Sequence, residues 1–214
     1  MLKLHMAGSG AILGDAAEGA FSPVTQRRIW SLARLLSARD GVEQAVPGVN
    51  NILITFDSLT VPAETIEALV HASWEQARPD AVAARECEIP VQYGGAHGED
   101  LQRVADHAGL SVREVIERHQ AARYSVAAVG AMPGFVYLTG LDPALAIPRR
   151  DSPRLTVAKG AVIIGGGQAG IMPCTAPSGW HILGHTDVEL FSLDRSDPLL
   201  LHPGDTVRFC AIGA

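Results

Sequence analysis

Arg149, Arg150 and Arg154 crowd a short segment punctuated by Pro148 and Pro153, with Lys159 just beyond it. A guanidinium is a planar fork that takes a carboxylate or phosphate through two parallel hydrogen bonds, so Arg149 and Arg154 are candidate anion ligands. A solvated cationic surface is the plainer alternative, and the sequence leaves both open. Pro133, Gly134, Phe135 and Tyr137 lie upstream; Gln168, Gly170, Trp180 and His181 lie downstream. Their segments show little periodicity and mix glycine, proline, aromatic and amide side chains, which make poor core and good cleft walls. These residues and the two arginines form the candidate substrate-binding set. In it Gln168 is a neutral donor and acceptor, and the glycines around it let backbone approach a ligand closely.

Other chemistries fit less well. Gly165-Gly166-Gly167-Gln168-Ala169-Gly170 has the spacing G-x-G-x-x-G, with Asp187 downstream. A dinucleotide site needs the last glycine to open a helix that holds the pyrophosphate. Here Ile171-Met172-Pro173 follows, and proline removes a backbone donor from the turn that would need it. His181 and His185 are four apart, a metal spacing on a helix, but Pro177, Gly179 and Gly184 make a helix there improbable. His97 and His202 sit in other glycine-rich turns, so no metal is expected. Ser178 has no nucleophile elbow and no neighbouring lysine. Cys174, in an apolar and proline-rich context, reads as inert more readily than as a nucleophile. No catalytic residue is identified.

Composition bounds the class. The chain has 214 residues, enough for one large domain or two small ones. At 47% apolar and 19% charged it reads as an ordinary globular protein. A formal charge of −6 without a basic stripe argues against nucleic acid. No apolar run reaches the roughly 18–20 residues of a membrane span, and no signal peptide is visible. Cys87, Cys174 and Cys210 are widely separated and odd in number, neither a disulfide framework nor a zinc spacing. A reduced cytoplasmic setting is the expectation.

The elements that must position these residues fall into two expected domains, 1–80 and 86–214, joined by a linker at 79–85. In the first, Ser22-Pro23 opens a helix carrying Ile29, Leu32, Ala33 and Leu36, with Gly41 placed to cap it. Strands are expected in residues 2–13, at 42–46 and at 51–56, where Ile52, Ile54 and Phe56 alternate. A second helix carries Ile66, Leu69, Val70, Ser73 and Trp74. This β-α-β-β-α order predicts a ferredoxin-like α+β domain; Trp30 and Trp74 are expected to pack its helices. In the second domain, strand 86–93 precedes a helix over 101–107 closing on Gly109. Another follows, with a capping box at Ser111 and Glu114. Strands at 124–129, 161–164, 188–193 and 206–212 then suggest a small closed β-barrel with two helices. Gln168 and Trp180 are expected at its mouth, in the same cleft as Phe135 and Tyr137.

Motif order adds a resemblance. The run Met132-Pro133-Gly134-Phe135-Val136-Tyr137-Leu138 with Leu141-Asp142-Pro143, then Gln168-Ala169-Gly170-Ile171-Met172-Pro173, then Pro177-Ser178-Gly179-Trp180, resembles the family of the 5-oxoprolinase B subunit. That family is also called allophanate hydrolase subunit 1 and is related to the carboxyltransferase domain of urea carboxylase. Tyr93-Gly94-Gly95 and Gly98-Glu99-Asp100-Leu101 extend the likeness, which runs from about residue 42 onward. Glu99, Ala169, Met172, Ser178 and His185 depart from the family's usual residues. These departures fall in the supposed cleft, so the substrate stays open. The resemblance implies that the barrel is cyclophilin-like. It also implies two partners from 5-oxoprolinase, a larger C subunit and an A subunit. Together such proteins open 5-oxoproline to glutamate using ATP. The chain is then expected to contribute half of a composite site, to be inactive alone and to bind no cofactor by itself. Two alternatives come with the family. One is a regulatory protein that inhibits a histidine kinase. The other is a subunit of a biotin-dependent urea or allophanate-pathway carboxyltransferase, although no Met-Lys-Met carrier motif is present.

Overall fold

Ser22 opens the first helix as its type allows: its hydroxyl accepts the Thr25 N–H at 3.2 Å, and Pro23 occupies the first turn. The computed structural model describes residues 1–79 and 84–213 and divides into two compact units, Met1–Ala83 and Ala84–Ala214. Of the stretch read as a linker, 80–83 lie outside the described residues. The N-terminal unit contains β1 (Lys3–Met6), β2 (Ala11–Asp15), α1 (Pro23–Leu36), β3 (Gln44–Pro47), β4 (Asn51–Thr55) and α2 (Ala63–Gln76). The single strand expected in residues 2–13 is thus a hairpin, turned where Gly8 takes φ +83°. The sheet order is β1-β2-β4-β3, antiparallel throughout. With β1 moved to the end of the chain this is the β-α-β-β-α-β order, so the unit is ferredoxin-like with its last strand placed first.

Ile52, Ile54 and Phe56 are buried against Ile29, Leu32 and Leu36 of α1 and Ile66 and Val70 of α2. Trp30 and Trp74 are also buried. Gly41 does not cap α1. The helix ends at Leu36, where the Ser37 N–H and hydroxyl both bond the Ala33 carbonyl, and Gly41 takes φ +85° in the turn that follows.

The second unit holds β5 (Glu86–Tyr93), α3 (Leu101–Ala108), α4 (Val112–Ala121), β6 (Tyr124–Val129), β7 (Val136–Thr139), β8 (Arg154–Val157), β9 (Ala161–Gly165), β10 (Gln168–Ile171), β11 (Ala176–Ser178), β12 (His181–His185) and β13 (Thr206–Ala211). Seven strands close a barrel in the order β10-β7-β6-β13-β5-β12-β9, with β9 pairing back to β10. Among the described residues only its β5–β13 pair runs parallel. β8 and β11 form a separate two-stranded ribbon. The architecture is α+β, ferredoxin-like and then a cyclophilin-like barrel. Gly109 ends α3 in the left-handed conformation, and Ser111 with Glu114 forms a capping box on α4.

Alternation divides each barrel strand between two packing regions. Val162 and Ile164 of β9 join Ile89, Leu138, Leu183 and Phe209 in the cluster that fills the interior. Ala161 and Ile163 turn the other way, toward Phe135, Val157, Met172 and Trp180. Residues 188–193, expected as a strand, make one bridge, Phe191 with Leu199. That segment pairs with its own continuation through Ser192 N–H to the Pro198 carbonyl, and Pro198 has no N–H to extend a ladder. No helix among the described residues is long and apolar enough to cross a membrane.

Candidate functional site

Ala169 of β10 pairs with Leu138 of β7, and both side chains enter the barrel core. Their neighbours Gln168, Gly170 and Tyr137 therefore project from the outer face. Gln168 and Tyr137 share this face, but it is the barrel's outer wall and not its mouth. The expected loops around these residues are mostly short strands. Phe135 stands edge-on to Tyr137, with ring centroids 4.9 Å apart, and to Trp180 at 5.9 Å; Tyr137 and Trp180 are 6.2 Å apart. Two glycines make room for these rings. A Cβ on Gly165 would lie 2.8 Å from the Trp180 indole, and one on Gly170 would lie 3.1 Å from Phe135 Cζ. The close neighbour of Gly170 is thus the protein's own aromatic cluster. Gly134 takes φ +81° against Phe191, while Pro133 is exposed in the turn before β7.

A strap over residues 147–150 crosses beside this cluster. Ile147 exchanges hydrogen bonds with Gly166, N–H to carbonyl at 3.3 Å and carbonyl to N–H at 2.7 Å. The Arg150 N–H donates to the Gly179 carbonyl at 2.8 Å. The three arginines separate by role here. Arg154 places its fork on Asp100, Nη1 to Oδ2 at 2.7 Å and Nη2 to Oδ1 at 2.9 Å, and reaches Glu99 at 3.1 Å. Arg150 bonds the same carboxylate at 3.1 Å. Asp100 is 3% exposed and also accepts the Ile182 N–H at 2.8 Å. Burial alone would raise its pKa, but the Arg154 hydrogen bonds, the Ile182 N–H and the two positive charges outweigh that and hold it below the usual carboxylate range. Arg154, a candidate anion ligand, is therefore occupied by an internal anion.

Arg149 differs. It is exposed, its guanidinium lies 5.4 Å from the centre of the Trp180 ring, and it has no carboxylate partner among the described residues. The Gln168 amide, half-buried on the same outer face, likewise makes no hydrogen bond among them. Lys159 pairs instead with Glu189 at 3.4 Å. Asp100 and Arg150 are absent from the candidate set; the sole signal was an acidic residue in Gly98-Glu99-Asp100-Leu101, far in sequence from the arginines it holds.

His181 is 1% exposed and bonds the Pro148 carbonyl through Nε2, so it lies behind the strap. The Cys174 thiol is exposed and 3.5 Å from Met132 Sδ, and the Ser178 hydroxyl accepts the Trp180 N–H. Gly166-Gly167 is the tight turn between β9 and β10, with Gly166 at φ +60°, and leads into a strand. It has no helix N-terminus to hold a phosphate. Among the described residues no group of three or more His, Cys, Asp or Glu could hold a metal.

Comparison with known proteins places this geometry. The family model for carboxyltransferase domain, subdomain C and D, matches residues 2–201, which includes the N-terminal unit. The chain is similar to the 5-oxoprolinase B subunit of Escherichia coli O157:H7, 46% identical over 193 residues and covering 87% of each chain. It is also similar to the 5-oxoprolinase B subunit of Haemophilus influenzae, 37% identical over 188 residues and covering 88% of each. The solved structure of TTHA0988 superposes with a TM-score of 0.82 at 35% identity, covering 100% of this chain. This chain spans only 41% of that longer protein. Urea amidolyase of Kluyveromyces lactis shares the fold, with a TM-score of 0.84 at 20% identity, over 99% of this chain and 15% of that one. The chain belongs to the 5-oxoprolinase B-subunit family, with carboxyltransferase subdomains C and D.

Proposed function

We propose that this chain is the B subunit of an ATP-dependent 5-oxoprolinase of the cytoplasm, acting with the A and C subunits. With the C subunit it builds a composite site where 5-oxoproline is opened to glutamate. The observation that carries this reading is the Arg149 guanidinium above Trp180, without a carboxylate partner among the described residues, on the face that also presents Gln168. 5-Oxoproline is a small flat lactam bearing one carboxylate. A guanidinium fork suits the carboxylate, and a primary amide can complement the lactam N–H and carbonyl. These groups bind and orient. None is an activated nucleophile or a placed general base, so the chemistry needs groups from a partner. The Gly166-Gly167 turn does not suit a triphosphate, and ATP is accordingly assigned to the complex and not to this chain alone.

Reconstitution tests this. The purified chain should release no glutamate from 5-oxoproline and ATP, while the mixture with the A and C subunits should. Turnover by the isolated chain would overturn the composite site; a silent mixture would overturn the functional reading itself.

A further inference from the structure

His181 sits on β12 paired with Ile164, and at 1% exposed it is a buried polar ring on a strand whose next two residues, Ile182 and Leu183, are apolar. Its Nε2 lies 2.9 Å from the Pro148 carbonyl oxygen. A carbonyl only accepts, so the proton is on Nε2 and the histidine is the donor. Nδ1 is then a buried atom without a partner. A half-satisfied buried ring calls for an explanation, and the one bond it makes supplies it. The Pro148 carbonyl belongs to the planar peptide unit that ends at the Arg149 Cα. Holding that oxygen fixes the plane from which the Arg149 side chain departs. The strap is also pinned on both sides of this peptide, at Ile147 by Gly166 and at Arg150 by Gly179 and Asp100. Arg149 is the strap residue whose charge has no carboxylate partner among the described residues, and the ring beneath it is Trp180, the chain neighbour of His181.

We propose that His181 is a positioning residue, which holds the Pro148–Arg149 peptide so that the Arg149 guanidinium stays above Trp180. Its consequence for catalysis rests on the reading of Arg149 as the ligand of the substrate carboxylate. The imidazole touches no substrate; it acts through Arg149.

Two isosteres separate this from a general packing role. A glutamine amide nitrogen reaches roughly where Nε2 sits, and an asparagine amide stops near Nδ1. In the reconstituted complex, His181→Asn should raise the KM for 5-oxoproline about tenfold with kcat little changed, and His181→Gln should restore most of it. In an Arg149→Ala background the effect of His181→Asn should vanish, because two residues acting through one contact are not additive. If His181→Asn does not fold, His181→Leu carries the same test without burying an unpaired amide. A readout independent of turnover is the Trp180 indole N–H resonance of the isolated chain, assigned by its loss in Trp180→Phe. It should shift alike in His181→Asn and Arg149→Ala and stay near its place in His181→Gln. Equal losses for Asn and Gln, or an undiminished effect without Arg149, would overturn the positioning role. If Arg149→Ala leaves KM unchanged while the resonance behaves as stated, the positioning role stands and the assignment of Arg149 to the substrate carboxylate falls.

Discussion

The two sides of β9 face different kinds of environment. Val162 and Ile164 enter an interior filled by apolar side chains, where the buried His119 finds Tyr93 at 2.7 Å and stacks on Phe209 at 4.6 Å. Ala161, Ile163 and Gly165 instead back a patch where aromatic rings are packed edge-on but the Arg149 and Gln168 side chains have no hydrogen-bond partner among the described residues. The interior keeps one half-satisfied ring, since His119 Nε2 is buried without a hydrogen-bond partner among the described residues, whereas the outer face leaves its unpartnered polar groups within reach of solvent. Asp100 marks the seam, tying α3, β12, β8 and the strap together through Ile182, Arg154 and Arg150. Three neighbouring arginines are alike in sequence, and what distinguishes them is which ones an internal carboxylate already holds.

The largest effect should come from cutting that seam. Asp100→Ala leaves Arg150 without its anion, Arg154 with Glu99 alone and the Ile182 N–H without its acceptor. Arg150 and Arg154 are 23% and 20% exposed, so some water reaches them, but loss of one partner of such a buried cluster still costs about 3 kcal/mol or more. A urea titration followed by near-UV circular dichroism should show it. A loss below about 1 kcal/mol would put the cluster on a par with a surface ion pair.

The interior makes its own demand, read through pH. Burial lowers the His119 pKa from 6.5 to about 3. The unfolded chain therefore takes up a proton that the folded chain refuses, and stability falls as pH drops from about 6.5 toward 3. The slope is at most about 1.4 kcal/mol per pH unit, hence about 2 kcal/mol by pH 5. His119→Phe should flatten that limb. Asp100 acts in a different window. Its folded pKa is depressed, so its contribution is present above about pH 4 and lost only as pH falls through the folded value. An unchanged slope between pH 5 and 6.5 in His119→Phe would mean that another group titrates there.

How far these regions were legible in sequence follows from their periodicity. The capping box at Ser111 and the alternation of Ile52, Ile54 and Phe56 are local patterns, and the structure contains them. β7, β8 and β10 to β12 are three to five residues long, and several carry glycine or proline, so a two-residue period never establishes itself. Their residues read as cleft loops when they are barrel wall and ribbon. The grouping of Phe135, Tyr137 and Trp180 was accessible from composition and motif order; the pairing of Asp100 with arginines some 50 residues away was not, because charge pairing across a barrel leaves no spacing.

A smaller change tests whether the outer patch is as tightly built as its glycines indicate. In Gly165→Ala the new Cβ would stand 2.8 Å from the Trp180 ring, which must move because the β9 backbone on its other side is held by β10 and β12. Overpacking of this kind costs about 1–3 kcal/mol. The barrel interior should be untouched. Reconstituted activity should fall, with the Trp180 emission shifted. Normal activity with a shifted ring would separate the indole from substrate binding.

The smallest effect on stability, and the sharpest on function, belongs to Arg149→Lys. Lysine keeps the charge above Trp180 but loses the planar fork. Since Arg149 is exposed and has no carboxylate partner among the described residues, folding should change by less than about 1 kcal/mol. A bidentate grip on a carboxylate would lose one charge-assisted hydrogen bond, about 1.5–3 kcal/mol, or roughly tenfold to a hundredfold in affinity. With Arg149→Lys in place, the chain should therefore join the C subunit normally, and the complex should show at least about tenfold lower kcat/KM for 5-oxoproline. Near-normal activity would return Arg149 to the solvated surface and leave the outer face without its anion ligand. Loss of binding to the C subunit would make Arg149 an interface residue, and the incompleteness of that face would then be the mark of a docking surface in place of a substrate site.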